Sequence, residues 1–333
     1  MLNKIDLRIG EARILRDITT KLFYLDWLTI MMEASDWEYQ SYGYRPLVKY
    51  LEDRYNAPIV ITNGANQALH AAMYALKQMG YPNIGFRVPY WSRIPEIAQT
   101  VGIPHLSFEG EILPEENSQN ISSYLMTMPN NPDGYLPSLE RVRLVSEVLK
   151  EQNIPLIHDA VYYNRTCLPI DYPIENIGDV QIYSASKTYG LSSMRIGYMV
   201  VHNIDFYNLL LDYMELSTVG VSVPSQKLFL QLLQREDAMP MLKQNFEQQS
   251  REELKKAKQL FKTIDPEVLE LSENFETISG MFAWVKPKQP DVFEKTNIAV
   301  LNGDVFGMPG YARINMAAGN DIIAETVKRL NGI

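Results

Sequence analysis

Seven short apolar runs, most of them separated by helix-length stretches, constrain this chain more than any other feature. They cover residues 58–63 (PIVITN), 83–89 (NIGFRVP), a weaker 103–108 (IPHLSF), 124–131 (YLMTMPNN), 154–160 (IPLIHDA), 180–186 (VQIYSAS) and 196–202 (IGYMVVH). A strand that is apolar throughout, rather than at alternate positions, must be covered on both faces. The intervening stretches 66–78, 92–102 and 138–152 supply the cover. In the last, Leu139, Val142, Val145 and Leu149 recur at spacings of three and four, the stripe of an amphipathic helix. Strands joined by crossover helices make a mostly parallel α/β sheet.

The pattern changes after residue 203. Helices are expected from Asp205 to about Leu216, after Pro224, and over the charged stretch 238–264, whose charges read as a solvated face. Short strands follow in FETIS, MFAWVK, IAVLNG and YARINMA, then a helix in DIIAETVKRL. This is the composition of a smaller α+β domain.

Composition narrows the function. Lys and Arg number 31 against 40 Asp and Glu, a net charge of −9, which argues against non-specific nucleic-acid binding. Four histidines and the single Cys167 are scattered, so no metal site is expected, and Cys167 reads as a small buried apolar residue. No apolar run reaches the roughly 18 residues of a membrane span, and the charged N-terminus lacks a signal core. The expected location is the cytoplasm.

In a parallel α/β sheet, ligands bind beyond the carboxyl ends of the strands. The first run ends in Asn63-Gly64-Ala65-Asn66 and opens into a helix, which is either a capped tight turn or an anion cradle of backbone N–H groups. The run at 124–131 leads into Pro132-Asp133-Gly134, a strong turn signal. Asp159 closes the next run, with Tyr162 just after it, and is either an exposed cap or a functional carboxylate. Lys187 follows the run at 180–186, and is either snorkelling to solvent or a partly desolvated amine suited to an imine bond. Arg195 and the aromatic pair Tyr90-Trp91 fall on the same edge. A phosphate cradle, an amine, a carboxylate, a phenol and an aromatic platform together suit a phosphorylated, nitrogen-containing aromatic aldehyde. Pyridoxal phosphate is such a molecule.

From Leu7-Arg8-Ile9-Gly10-Glu11 to Arg313-Ile314-Asn315 the chain resembles the class I/II aminotransferases, fold-type I pyridoxal-phosphate enzymes. Ser184-Ala185-Ser186-Lys187 with Gly190 and Met194-Arg195-Ile196-Gly197-Tyr198 carries the resemblance most specifically. Asn131-Pro132-Asp133-Gly134 and Asp159-Ala160-Val161-Tyr162 follow the family's order. The resemblance implies a large cofactor-binding domain over residues 30–235, built on a mostly parallel seven-stranded sheet, and a small α+β domain from 1–29 and 236–333. It implies that Lys187 carries the cofactor as a Schiff base, with Asp159 and Tyr162 completing the catalytic set. Asp159 would pair with the pyridinium nitrogen, Asn131 and Tyr162 would bond the phenolic oxygen, and Trp91 would stack on the ring. Gly64, Ala65, Asn66, Ser184, Ser186 and Arg195 would hold the phosphate. Arg313, with Gly10 and Asn131, would receive the substrate carboxylate.

Three departures stand out. Ala160 replaces the family's usual Glu; Tyr39 and Tyr42 are both candidates for the tyrosine that reaches a partner subunit's phosphate; and no arginine matches one that reads an acidic side chain. The implied activity is amino-group transfer between an L-amino acid and a 2-oxo acid by a homodimer. An amino-acid lyase, cyclase or oxidase is the alternative, and a non-catalytic cofactor-binding protein a third. A nicotinamide dehydrogenase would need a G-x-G-x-x-G turn, and residues 63–68 have none.

Overall fold

The computed structural model describes residues 3–23, 42–110, 120–272, 275 and 279–333. All seven apolar runs become strands of one sheet: β1 (Ile59–Thr62), β2 (Ile84–Arg87), β3 (His105–Phe108), β4 (Tyr124–Thr127), β5 (Leu156–Asp159), β6 (Val180–Ser184) and β7 (Gly197–Val201). Their spatial order is β1-β7-β6-β5-β4-β2-β3. Neighbours pair in parallel except at β7, which runs antiparallel to β1 and β6. This is the mostly parallel seven-stranded sheet of the fold-type I aminotransferases. β1, β5, β6 and β7 are buried at every position, as their unbroken apolar runs require. The weaker run became the edge strand β3, which is largely exposed.

The longer helices are α1 (Arg13–Phe23), α2 (Arg45–Tyr55), α3 (Ala65–Gln78), α4 (Arg93–Val101), α5 (Leu139–Glu151), α6 (Ile204–Thr218), α7 (Val223–Ala238), α8 (Pro240–Phe261) and α9 (Asn320–Leu330). All but the last contribute to the core around the large sheet. In α5 the expected stripe packs inward at Val142, Val145 and Leu149, and Ser138 caps the helix by accepting from Arg141 N–H at 3.2 Å.

A second, antiparallel sheet has the order β10-β11-β9-β8, built from β8 (Leu269–Leu271), β9 (Phe282–Pro287), β10 (Leu301–Asn302) and β11 (Ala312–Asn315). The expected IAVLNG strand is split: Ile298–Ala299 pairs in parallel with Ile5–Asp6, and only Leu301–Asn302 joins this sheet. Of the expected FETIS strand, only residues 275 and 279 are described. Two apolar cores result. One surrounds the large sheet; the other gathers Leu7, Phe261, Ile314 and Leu330. α8 serves both, with Phe246 in the first and Ala257 and Phe261 in the second. A smaller cluster of Leu15, Val161, Tyr162, Met281 and Phe282 joins the N-terminal segment to the end of β5.

Candidate active site

Asp159 is the last residue of β5, in register with Thr127 of β4 and Ile182 of β6. Its side chain is 3% exposed and accepts one hydrogen bond, from Val161 N–H at 3.3 Å. Burial pushes its pKa up to about 7, and no cation among the described residues offsets that. Such a carboxylate is poised for a cationic partner.

Lys187 sits on the single helical turn Ala185–Thr188 that follows β6. Ser184 caps that turn, its Oγ accepting from Ser186 N–H at 3.2 Å. The Lys187 Nζ donates to the Gly10 carbonyl. Burial, then the charges of Arg313 and Arg195, bring its pKa down to about 8, against an opposing pull from Glu11. A substantial neutral fraction near neutral pH makes this amine both a nucleophile and a base.

The turn from β1 into α3 needs glycine. Gly64 has φ +83°, and a Cβ there would lie 2.5 Å from Arg195 Nη2. The Arg195 guanidinium therefore lies over the N-terminus of α3, donating to Asn63 O at 3.1 Å and Ser192 O at 3.0 Å. Free N–H groups at a helix start, with a guanidinium over them, suit a phosphate.

Arg313 reaches in from β11. It is 4% exposed and donates from Nη1 to Asn131 Oδ1 at 3.0 Å and from Nη2 to Arg8 O at 2.6 Å. Among the described residues its Nε has no hydrogen-bond partner. The guanidinium lies 4.1 Å from the Phe282 ring centroid, and burial lowers its pKa to about 10. Among the described residues its hydrogen-bond acceptors are both neutral and no carboxylate pairs with it, which favours an anionic ligand. Tyr162 is buried edge-on to Phe282 at 5.8 Å; burial raises its phenol pKa, which nearby Arg313 partly counters.

These groups line one cavity of about 340 Å³. Gly10, Ala65, Asn66, Trp91, Asn131, Asp159, Tyr162, Ser184, Ser186, Lys187, Arg195 and Arg313 all border it. Gly64 acts from behind, through the space it leaves for Arg195. Tyr42 is 59% exposed and does not border the cavity, and Tyr39 lies outside the described residues. Sequence reasoning missed the apolar wall of Ile9, Leu69, Val161 and Phe282, and the carboxylate Glu11. Phe282 carries no signal of its own within an apolar strand. Glu11 stood in a quoted motif without a role.

The model of the allinase family matches residues 50–333, most of the chain and nearly all of this cavity's lining. The chain belongs to the allinase family. This allinase-family chain is 26% identical over 302 residues to tryptophan aminotransferase-related protein 4 of Arabidopsis thaliana, covering 83% of the chain and 63% of that relative. It is 21% identical over 299 residues to an aspartate aminotransferase of Streptomyces avermitilis, covering 82% and 73%. The chain thus spans just under two thirds of the Arabidopsis relative. Among solved structures, the aspartate aminotransferase of Thermus thermophilus with maleate superposes with a TM-score of 0.82 at 15% identity, over 99% of this chain and 92% of that one. That of Thermotoga maritima gives 0.77 at 19%, over 99% and 92%. The allinase-family chain therefore has the aminotransferase fold. Among its described residues, no helix is long and apolar enough to cross a membrane, and no group of three or more His, Cys, Asp or Glu is placed to hold a metal.

Proposed function

We propose that the protein is a pyridoxal-phosphate-dependent aminotransferase acting on L-amino acids and 2-oxo acids. The observation that carries this reading is the meeting, in one cavity, of an amine of lowered pKa on Lys187, a buried carboxylate on Asp159 and a buried guanidinium on Arg313, the last two without an ion partner among the described residues. The residues present fit the cofactor. The α3 N-terminus with Ala65, Asn66, Ser184, Ser186 and Arg195 would hold its phosphate, Trp91 would cover its ring, and Asn131 and Tyr162 would bond its phenolic oxygen. Asp159 would face its ring nitrogen. When bound, this group supplies an aldehyde that condenses with amines and a ring that takes up the electrons left when an amino acid loses its Cα proton.

The rest falls to the chain. Asp159 would hold a protonated ring nitrogen and, with that cation beside it, would stay ionised despite its burial. Arg313 binds the substrate carboxylate and so fixes the orientation of Cα. The Lys187 Nζ, once free, would act as the base that takes up the substrate's Cα proton. Phe282, Val161 and Leu69 keep water from the reacting face.

Further parts belong to the same proposal. Residues 30–235 would form the cofactor domain and 1–29 with 236–333 the small domain, with Phe23 and Phe246 reaching across into the large-sheet core. A homodimer would give the exposed Tyr42, or Tyr39, access to a second subunit's phosphate. A cytoplasmic location is compatible with the lone Cys167, which is buried and whose thiol pKa burial raises to about 11.

The test is product analysis. Protein supplied with pyridoxal phosphate, a panel of amino acids and one 2-oxo acid should yield a new 2-oxo acid matched by amination of the acceptor. Release of ammonia or a side-chain fragment without amination would replace the reading with a lyase. Consumption of no amino acid would overturn it.

A further inference from the structure

Residues 8–11 run along the cavity edge outside either sheet, yet each of their four carbonyls has a partner. Arg8 O accepts from Arg313 Nη2 at 2.6 Å and Gly10 O accepts from Lys187 Nζ. The alternate carbonyls, Ile9 O and Glu11 O, both accept from Asn315 Nδ2, each at 2.9 Å. One face of this segment meets the two site cations, and the other is held by a single amide. Asn315 is 2% exposed and fully engaged: its Oδ1 accepts from Ala317 N–H at 3.0 Å and its own N–H donates to Leu7 O at 3.3 Å.

We propose that Asn315 is a positioning residue, whose side-chain amide fixes residues 8–11 so that the Gly10 carbonyl meets Lys187 and the Arg8 carbonyl meets Arg313. This rests on the reading of the cavity given above. The residue type follows from the geometry. Two carbonyl oxygens need two N–H donors from one atom, and a third group must accept from Ala317. An ionised Asp offers no donor and faces both oxygens with like charge. Ser offers one donor. Gln carries its amide one methylene too far. At Gly10 a Cβ would lie 3.0 Å from Phe282 Cζ and 3.4 Å from Lys187 Nζ, so a larger residue would have to push both side chains aside. The carbonyl that faces the amine is therefore held from both sides.

The test compares wild type with Asn315→Asp and Asn315→Ala, full-length and supplied with pyridoxal phosphate. Three readings are taken: amide hydrogen exchange across residues 8–12, KM for an amino acid that wild type converts, and the pH profile of kcat. A carbonyl acceptor favours the charged amine, so losing it lowers the Lys187 pKa. The acid limb of kcat should then move to lower pH. Exchange should speed up and KM should rise, each by about tenfold or more, as Arg313 loses its fixed neighbour. Wild-type values of all three would overturn the proposal. So would a uniform loss of kcat with KM and the acid limb unmoved, which a merely structural role would give. Should both variants fail to fold, Asn315→Ser, which keeps one donor, should show the same three shifts to a smaller extent; wild-type behaviour there overturns the proposal as well. Borohydride labelling of wild type tests the cofactor reading separately. If wild type takes no label, that reading fails, and hydrogen exchange alone still decides whether Asn315 holds the segment.

Discussion

Asp159 shows how one residue reports on a whole site. A buried carboxylate with a pKa raised to about 7 is at odds with stability unless a cation arrives. Its folded pKa lies above the ordinary Asp value of 3.8, so the folded chain binds the extra proton between those values. The stability this contributes is fully present below the unfolded pKa and is lost as pH rises through the folded one. The difference is roughly 4 kcal/mol at 1.36 kcal/mol per pKa unit. Asn cannot ionise. In urea titrations without cofactor, Asp159→Asn should therefore gain on wild type by about that amount between pH 4 and pH 8. A pH-independent difference would show that the carboxylate is already paired. The position of Asp159 at the end of an apolar run was legible from sequence. Its isolation was not, because that depends on what the facing elements leave out.

At the scale of elements, close contacts settle what periodicity could not. α1 packs against the turn after Lys187, where Thr19 Oγ1 donates to Tyr189 O at 2.8 Å. Gly190 makes the approach possible. It has φ +71°, and a Cβ there would lie 2.3 Å from Arg16 N and 2.5 Å from Ala12 O, both backbone atoms. Gly190→Ala combines a strained backbone with a clash that no side chain can relieve, and should cost roughly 3 kcal/mol or more in chemical unfolding. A change below about 0.5 kcal/mol, the range of an ordinary surface substitution, would mean that α1 docks differently. All seven large-sheet strands were legible, because fully apolar runs ending in turn residues leave few alternatives. The short strands beside them were less so. Ile298–Ala299 and Leu301–Asn302 read as one run, but they pair with different elements, and nothing local marks the break.

For the whole molecule, the site draws on segments far apart in sequence. Gly10, Asp159, Lys187 and Arg313 come from the N-terminal segment, the large sheet, the turn after it and the second sheet. The polar residues that line the cavity were recognisable because strand ends, turns and motif order point to them. The apolar wall and the anchoring amide of Asn315 were not, since they depend on how the second sheet meets the first. Everything rests on the Lys187 amine bonding a pyridoxal ring. The direct measurement is borohydride reduction of the pyridoxal-phosphate-treated protein, followed by peptide mass mapping, with Lys187→Ala as control. The account predicts one reduced pyridoxyl group per chain, on Lys187, and none on the control. An unlabelled Lys187, or equal labelling of the control, would contradict it.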